Sequence, residues 1–123
     1  MSQYILPKIL IVDDIPENLI SLESILEDLE AEIVKANSGQ EALEIALHSN
    51  FALILLDVQM PELNGFETAK FLRSIEKTRY TPIIFLTAIA KEEKYLFEGY
   101  EAGAIDFIHK PIDDKILINK SII

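Results

Sequence analysis

Five polar residues of this 123-residue chain each follow a short apolar run, and their types suit chemistry on phosphorus. They are Asp13, Asp14, Asp57, Thr87 and Lys110. Clustered carboxylates repel one another, and a hard divalent cation such as Mg2+ relieves that repulsion with oxygen ligands. A carboxylate beside the cation can attack phosphorus, while an ammonium and a hydroxyl bind the remaining phosphoryl oxygens. The set therefore predicts Mg2+-dependent transfer of a phosphoryl group to an aspartate.

Asp57 is the best candidate for the attacking carboxylate because it stands between apolar neighbours, Leu56 and Val58, at the end of a predicted central strand. Taken singly, each residue of the set has an ordinary interpretation. An Asp or Thr after a strand commonly caps the next helix, and a Lys there is commonly solvated. The prediction depends on three acids, one hydroxyl and one ammonium occurring together.

The elements that must position these residues are five predicted strands. Residues 9–12, 52–56, 83–86 and 105–108 are mostly Ile, Leu, Val or Phe. Continuous apolar runs of this length are typical of strands buried on both faces of a parallel sheet. Residues 31–36 are mixed in polarity and predict an edge strand.

Helix-length segments separate the strands. Helices are predicted from Pro16, Ser38 and Asn64, over residues 90–101 before Gly103, and from about Asp113 to the chain end. Leucines spaced by three and four residues form one apolar stripe on the first of these helices. Ser38 with Glu41 has the spacing of a capping box.

The alternation of strands and helices predicts an α/β fold: a flavodoxin-like, doubly wound, five-stranded parallel sheet of order 2-1-3-4-5 with five helices. In such sheets ligands bind outside the carboxyl ends of the strands. The five polar residues are therefore expected to converge at that edge.

The composition narrows the classes of function. Eleven Lys and Arg against 21 Asp and Glu give a net charge of −10, which argues against direct binding to nucleic acid. The chain has no Cys, so thiolate and disulfide chemistry is excluded. The amino terminus does not resemble a signal peptide, and no apolar run approaches the ~20 residues of a membrane helix. We expect one cytoplasmic domain over residues 1–123, without direct membrane insertion.

Four motifs carry a resemblance to a known family. They are residues 11–14 (IVDD), 55–65 (LLDVQMPELNG), 86–88 (LTA) and 106–111 (DFIHKP). Together they resemble the receiver domain of bacterial two-component response regulators, in order and spacing, over essentially the whole chain.

The resemblance implies a role for each acid. Asp57 would be the phosphoacceptor. It would receive the phosphoryl group from a phosphohistidine on a partner histidine kinase or histidine phosphotransfer protein. Asp14 and Asp57 would bind Mg2+ directly, Asp13 would help through water, and Gln59 would supply its backbone carbonyl.

The resemblance also implies a switch. Thr87 would move toward the phosphoryl group, and Phe107 would change rotamer and relay the state to a partner or output surface. Lys110 would pair with the phosphoryl group, and its peptide bond to Pro111 would be cis. Such a domain is a signalling phosphoacceptor that catalyses only its own phosphorylation and dephosphorylation.

The last residues, Ser121, Ile122 and Ile123, would leave apolar side chains exposed at the end of a helix. This suggests a domain excised from a larger protein, such as a hybrid sensor kinase or a multidomain regulator. A covalently linked kinase or output domain is therefore expected.

Three other functions compete with this interpretation. A haloacid-dehalogenase-type phosphatase also uses an Asp nucleophile and Mg2+, but Gln59 stands where its general acid is needed. A flavodoxin-like FMN protein needs a phosphate loop after the first strand, where Asp13 and Asp14 would repel the phosphate. A receiver-like interaction module that is never phosphorylated stays open, although the intact acidic set argues against it.

Overall fold

The computed structural model describes residues 6–88 and 106–122. Its centre is a parallel sheet of five strands in the order β2-β1-β3-β4-β5, which confirms the predicted topology. The strands are β1 (Lys8–Val12), β2 (Glu32–Ala36), β3 (Leu53–Asp57), β4 (Ile83–Thr87) and β5 (Asp106–His109).

Four α-helices occur within the described residues, and we number them in chain order. They are α1 (Pro16–Leu26), α2 (Gly39–Ala46), α3 (Gly65–Ser74) and α4 (Asp114–Ser121), and a 3-10 turn, Glu76–Thr78, follows α3. The helix predicted over residues 90–101, with Gly103 at its end, lies outside the described residues. None of the described helices is long and apolar enough to cross a membrane.

The strand sequences explain the order of the sheet. Every residue of β3 and β4 is buried, as expected of inner strands covered on both faces. Glu32 and Lys35 of β2 are exposed, which confirms the predicted edge strand. The predicted strand bounds differ from the observed ones by a residue or so, and Asp57 is the last residue of β3 rather than the residue after it.

Successive side chains of the strands enter two separate hydrophobic clusters, one on each face of the sheet. One cluster joins the strands to α2 and α3 and contains Leu10, Val12, Ile54, Leu56, Phe85, Phe66 and Leu72. The other joins them to α1 and α4 and contains Ile9, Ile11, Leu55, Ile84, Leu19, Leu22 and Leu117. The alternation follows from the two-residue period of a strand, and the sheet is thereby packed between two helical layers.

Local capping fixes where α2 and α3 begin. Asn64 makes the complete capping box with Glu67: each side chain accepts a hydrogen bond from the other residue's backbone N–H, at 2.9 and 3.0 Å. At α2 the predicted box is only half formed. The Ser38 hydroxyl accepts from the Glu41 N–H, but the Glu41 carboxylate accepts from the Asn37 N–H, one residue earlier than predicted. Both helices begin beside the carboxyl edge of the sheet.

Candidate functional site

Three carboxylates converge at the carboxyl edge of the sheet. Asp13 and Asp14 follow β1, and Asp57 ends the neighbouring strand β3. Each offers a carboxylate oxygen, and these oxygens all lie within 4.8 Å of one another. Asp13 is 0% exposed and Asp57 is 4% exposed, so two of the three charges are almost fully removed from water.

Lys110 supplies the opposing charge from the loop that follows β5. Its Nζ lies 2.9 Å from Oδ1 of Asp57 and 3.4 Å from Oδ2 of Asp13. Its backbone N–H donates to the carbonyl of Thr87 at 2.8 Å, which ties this loop to the end of β4. The peptide bond from Lys110 to Pro111 is cis, as the family resemblance implies.

Burial and charge shift the pKa values of the ion pair. Removal from water raises the pKa of Asp57 from 3.8 to about 6, although Lys110 opposes this shift and the nearby Asp13 and Asp14 add to it. Burial acts to lower the pKa of Lys110, but hydrogen bonds and charges from Asp57 and Asp13 outweigh it and raise that pKa. At neutral pH both groups are therefore charged, and the carboxylate of Asp57 has an unshared electron pair for attack.

Asp13 is held by donors on both of its oxygens. Oδ1 accepts from the backbone N–H of Ile15 at 2.9 Å. Oδ2 accepts from the side-chain amide of Asn18, in the first turn of α1, at 3.2 Å, and from Lys110 at 3.4 Å. Asn18 did not emerge as a site residue from the sequence, because its amide comes within reach only when α1 folds back over the end of β1.

Gly65 allows α3 to begin directly against the end of β3. Its N–H donates to the carbonyl of Val58 at 2.8 Å. A Cβ at this position would lie 2.3 Å from the carbonyl oxygen of Asp57 and 2.8 Å from Cα of Val58. Since both are backbone atoms, any side chain here must move Asp57 or the helix.

The loop between β3 and α3 is also fixed from the side of α2. Gly39 leaves room for Thr68 and Leu63, whose Oγ1 and Cβ would lie 2.3 and 2.9 Å from a Cβ on that glycine. Gln40 donates to the carboxylate of Glu62 at 3.0 Å, and Glu62 has a φ of 66°. This left-handed backbone is uncommon for a residue with a side chain.

Thr87 and Phe107 lie on β4 and β5, the two strands beyond β3 in the sheet. Thr87 ends β4, one residue past Leu86, which is paired with Asp57. Phe107 is 8% exposed, and its ring packs against that of Phe85 at a centroid distance of 5.5 Å. Thr87 is 2% exposed, so both proposed switch residues are buried in this structure.

The structure thus brings together Asp13, Asp14, Asp57 and Lys110 at one edge, with Thr87 on the adjacent strand end. Gln59 is an exposed residue of the loop that follows β3. The donor set consists of carboxylate oxygens alone, which is the chemistry that a hard cation prefers and a soft metal does not. Within residues 6–88 and 106–122 these three acids are the one such cluster.

Comparison with known proteins agrees with this geometry. Residues 9–121 match the family described as the response regulator receiver domain. The transcriptional regulatory protein SrrA of Staphylococcus aureus is 42% identical over 111 residues, which cover 90% of this chain and 44% of SrrA. The chain therefore spans less than half the length of that relative.

Solved structures show the same fold. The chemotaxis response regulator CheY4 of Vibrio cholerae is 34% identical with a TM-score of 0.87, covering 94% of this chain and 96% of that one. The receiver domain of the sensor histidine kinase PA1611 of Pseudomonas aeruginosa, solved with a magnesium ion in its active site cleft, is 29% identical with a TM-score of 0.85. That match covers 94% of each chain. The chain belongs to the response regulator receiver domain family, the phosphoacceptor domains of two-component signalling.

Proposed function

We propose that Asp57 is the residue that accepts the phosphoryl group. The observation that carries this proposal is its carboxylate at the end of the central strand, close to two further acids and 2.9 Å from the Lys110 ammonium. Its pKa of about 6 leaves it ionised at neutral pH and more basic than an ordinary aspartate. A buried, ionised and oriented carboxylate is what attack on phosphorus requires.

The donor is a phosphohistidine on a histidine kinase or a histidine phosphotransfer protein. A carboxylate oxygen of Asp57 forms the new bond to phosphorus as the bond from phosphorus to the imidazole nitrogen breaks. The nitrogen keeps the electron pair and takes up a proton, and Asp57 becomes an acyl phosphate. Lys110 then exchanges the carboxylate of Asp57 for a phosphoryl oxygen. Its ammonium therefore stabilises the carboxylate before the transfer and the phosphoryl group after it.

Mg2+ fits the site, and we propose that Asp14 and Asp57 bind it directly, Asp13 through water, and Gln59 through its carbonyl. The carboxylates offer oxygens within 4.8 Å of one another, and Lys110 alone does not balance three negative charges. When bound, the cation neutralises charge on the phosphoryl group and on the acids.

Thr87 and Phe107 form the proposed switch. The hydroxyl of Thr87 donates to the phosphoryl group and draws the end of β4 toward Asp57. Phe107 is packed against Phe85 on the neighbouring strand, so a shift of β4 changes the space available to its ring. A small displacement of this kind is enough to change the state of the domain, because the side chains of a packed core adopt discrete arrangements.

The site acts on its own acyl phosphate only and signals to other domains. We propose that the chain is one receiver domain of a longer cytoplasmic protein, linked to a kinase or an output domain. This proposal is supported by the length of SrrA, of which the chain matches 44%. The net charge of −10 favours protein partners over direct binding to nucleic acid.

The test is incubation with Mg2+ and acetyl phosphate, followed by intact mass measurement. We expect one phosphoryl adduct that hydroxylamine removes, that EDTA prevents and that Asp57→Asn abolishes. Asp28→Asn is the matched control, because Asp28 is an exposed acid just beyond α1, and it should be phosphorylated like the wild type. An adduct at full yield in Asp57→Asn would refute the assignment, and no adduct in the wild type would favour the interaction module.

A further inference from the structure

The proposed phosphoryl transfer to Asp57 changes the hydrogen bonds of a neighbouring buried carboxylate, that of Asp13. Its carboxylate is 0% exposed, and Lys110 contributes one of the hydrogen bonds to Oδ2. The proposed reaction draws the Lys110 ammonium toward the phosphoryl group on Asp57. A buried carboxylate oxygen that loses a charged donor is costly unless another donor stays.

The side-chain amide of Asn18 is that other donor. It reaches Oδ2 of Asp13 at 3.2 Å, whereas Nζ of Lys110 lies 3.4 Å from the same oxygen and 2.9 Å from Asp57. Being neutral, the amide satisfies the oxygen without adding a second positive charge that would compete for the phosphoryl group. Asn18 is half-buried on α1, whose leucines pack into the core, so this donor lies on a different element from Lys110.

We propose that Asn18 is a positioning residue that holds Asp13 and thereby releases Lys110 to the phosphoryl group. This inference rests on the proposed function of Asp57 and Lys110. In the unphosphorylated protein Lys110 is shared by two carboxylates. In the phosphorylated protein Asn18 and the Ile15 N–H keep both oxygens of Asp13 bonded, so Lys110 can leave without exposing an unpaired buried charge.

The experiment replaces the amide with an apolar group of similar size, Asn18→Leu, and measures the rate of phosphorylation by acetyl phosphate at saturating Mg2+. We expect a loss of about tenfold, the size that one hydrogen bond to a charged group commonly provides. Binding of beryllofluoride, a non-covalent mimic of the phosphoryl group, should weaken by a similar factor and gives a readout apart from turnover. Ser21→Ala is the control, because Ser21 is an exposed residue of the same helix, α1, and the proposal gives it no role.

A double-mutant cycle separates positioning from a general structural effect. In a Lys110→Ala background there is no ammonium to release, so adding Asn18→Leu should change the phosphorylation rate by less than about twofold. An equal loss in both backgrounds, or wild-type rate and beryllofluoride affinity in Asn18→Leu, would overturn the proposal. If thermal unfolding shows that Asn18→Leu is not folded, Asn18→Ala replaces it in every measurement, because it removes the same donor. The expected and the contradicting results are then the same. A wild-type chain that takes no phosphoryl group would instead refute the proposed function.

Discussion

The middle and the end of β3 follow one another in the chain and are both buried, but the middle consists of apolar side chains and the end is a carboxylate. Ile54, Leu55 and Leu56 are 0% exposed, and the next residue, Asp57, is 4% exposed. β4 repeats the pattern, with Leu86 at 0% followed by Thr87 at 2%. Within the span of two residues, the strands pass from the apolar core to the polar carboxyl edge.

The difference shows that the apolar residues stabilise the fold, whereas the polar residues at the strand ends serve the reaction. Burying the apolar side chains stabilises the fold by about 25 cal/mol for each Å2 removed from water. Burying Asp57 acts in the other direction, since removal from water raises its pKa to about 6. The core therefore supplies the rigidity that holds the carboxylates together in spite of their repulsion.

The largest expected effect is in the core. Phe85 is 0% exposed and packs edge-to-face on Phe66 at 4.8 Å and against Phe107 at 5.5 Å. We expect Phe85→Ala to lower the free energy of unfolding by about 3–5 kcal/mol, measured by urea denaturation. Phe71→Ala is the control on α3, because Phe71 is 52% exposed, and it should stay within about 0.5 kcal/mol of the wild type. Equal losses would mean that the core and the surface do not differ as described.

The second prediction compares the two buried carboxylates in metal-free buffer near neutral pH. Asp13 has donors on both oxygens, and an Asn there would point an NH2 group at the Asn18 amide and Lys110. We expect Asp13→Asn to lower the free energy of unfolding by about 2 kcal/mol. Asp57→Asn should raise it by about 1 kcal/mol, since it removes a charge that burial penalises.

The two variants are measured by the same urea titration, with EDTA present throughout. Asp28→Asn serves again as the exposed reference and should change little. If Asp57→Asn lowers the free energy of unfolding as much as Asp13→Asn does, both carboxylates stabilise the fold. The expected difference between the two acids is then wrong.

The smallest effect is a dependence on pH. The pKa of Asp57 is about 6 in the folded protein against 3.8 for an ordinary aspartate, so the folded state binds the proton more tightly. Its contribution to stability is complete below the lower pKa and is lost as the pH rises through the higher one. Relative to Asp57→Asn, the metal-free wild type should lose about 1 kcal/mol between about pH 5 and pH 7. Parallel pH profiles for the two proteins would contradict this.

Much of the fold was predictable from local signals. Apolar runs without alternation placed β1, β3 and β4, and the mixed run of residues 31–36 placed the edge strand β2. The acids and Lys110 were predictable as a group because each follows such a run, and parallel strands end at one edge. Strand order is not encoded in any one run; 2-1-3-4-5 was predicted as the commonest order and is observed.

Other features depended on distances between atoms that the spacing of residues in the sequence does not give. The partner of Glu41 was mispredicted because spacing alone does not say whether its carboxylate reaches Ser38 or Asn37. The amide of Asn18 is recognisable as part of the site only from its distance to Asp13. The need for glycine at position 65 follows from its contact with the backbone of Asp57, eight residues earlier.

The sequence by itself determined which side chains would be present at the carboxyl edge, because the apolar runs fix the strands and the polar residues that follow these runs lie at the strand ends. Only the tertiary structure decided how those charges are shared. Lys110 lies between Asp57 and Asp13, and Asn18 holds the second of them. Hydrogen bonds and ion pairs depend on differences of a few tenths of an ångström between particular atoms, and the pattern of apolar runs contains no such information.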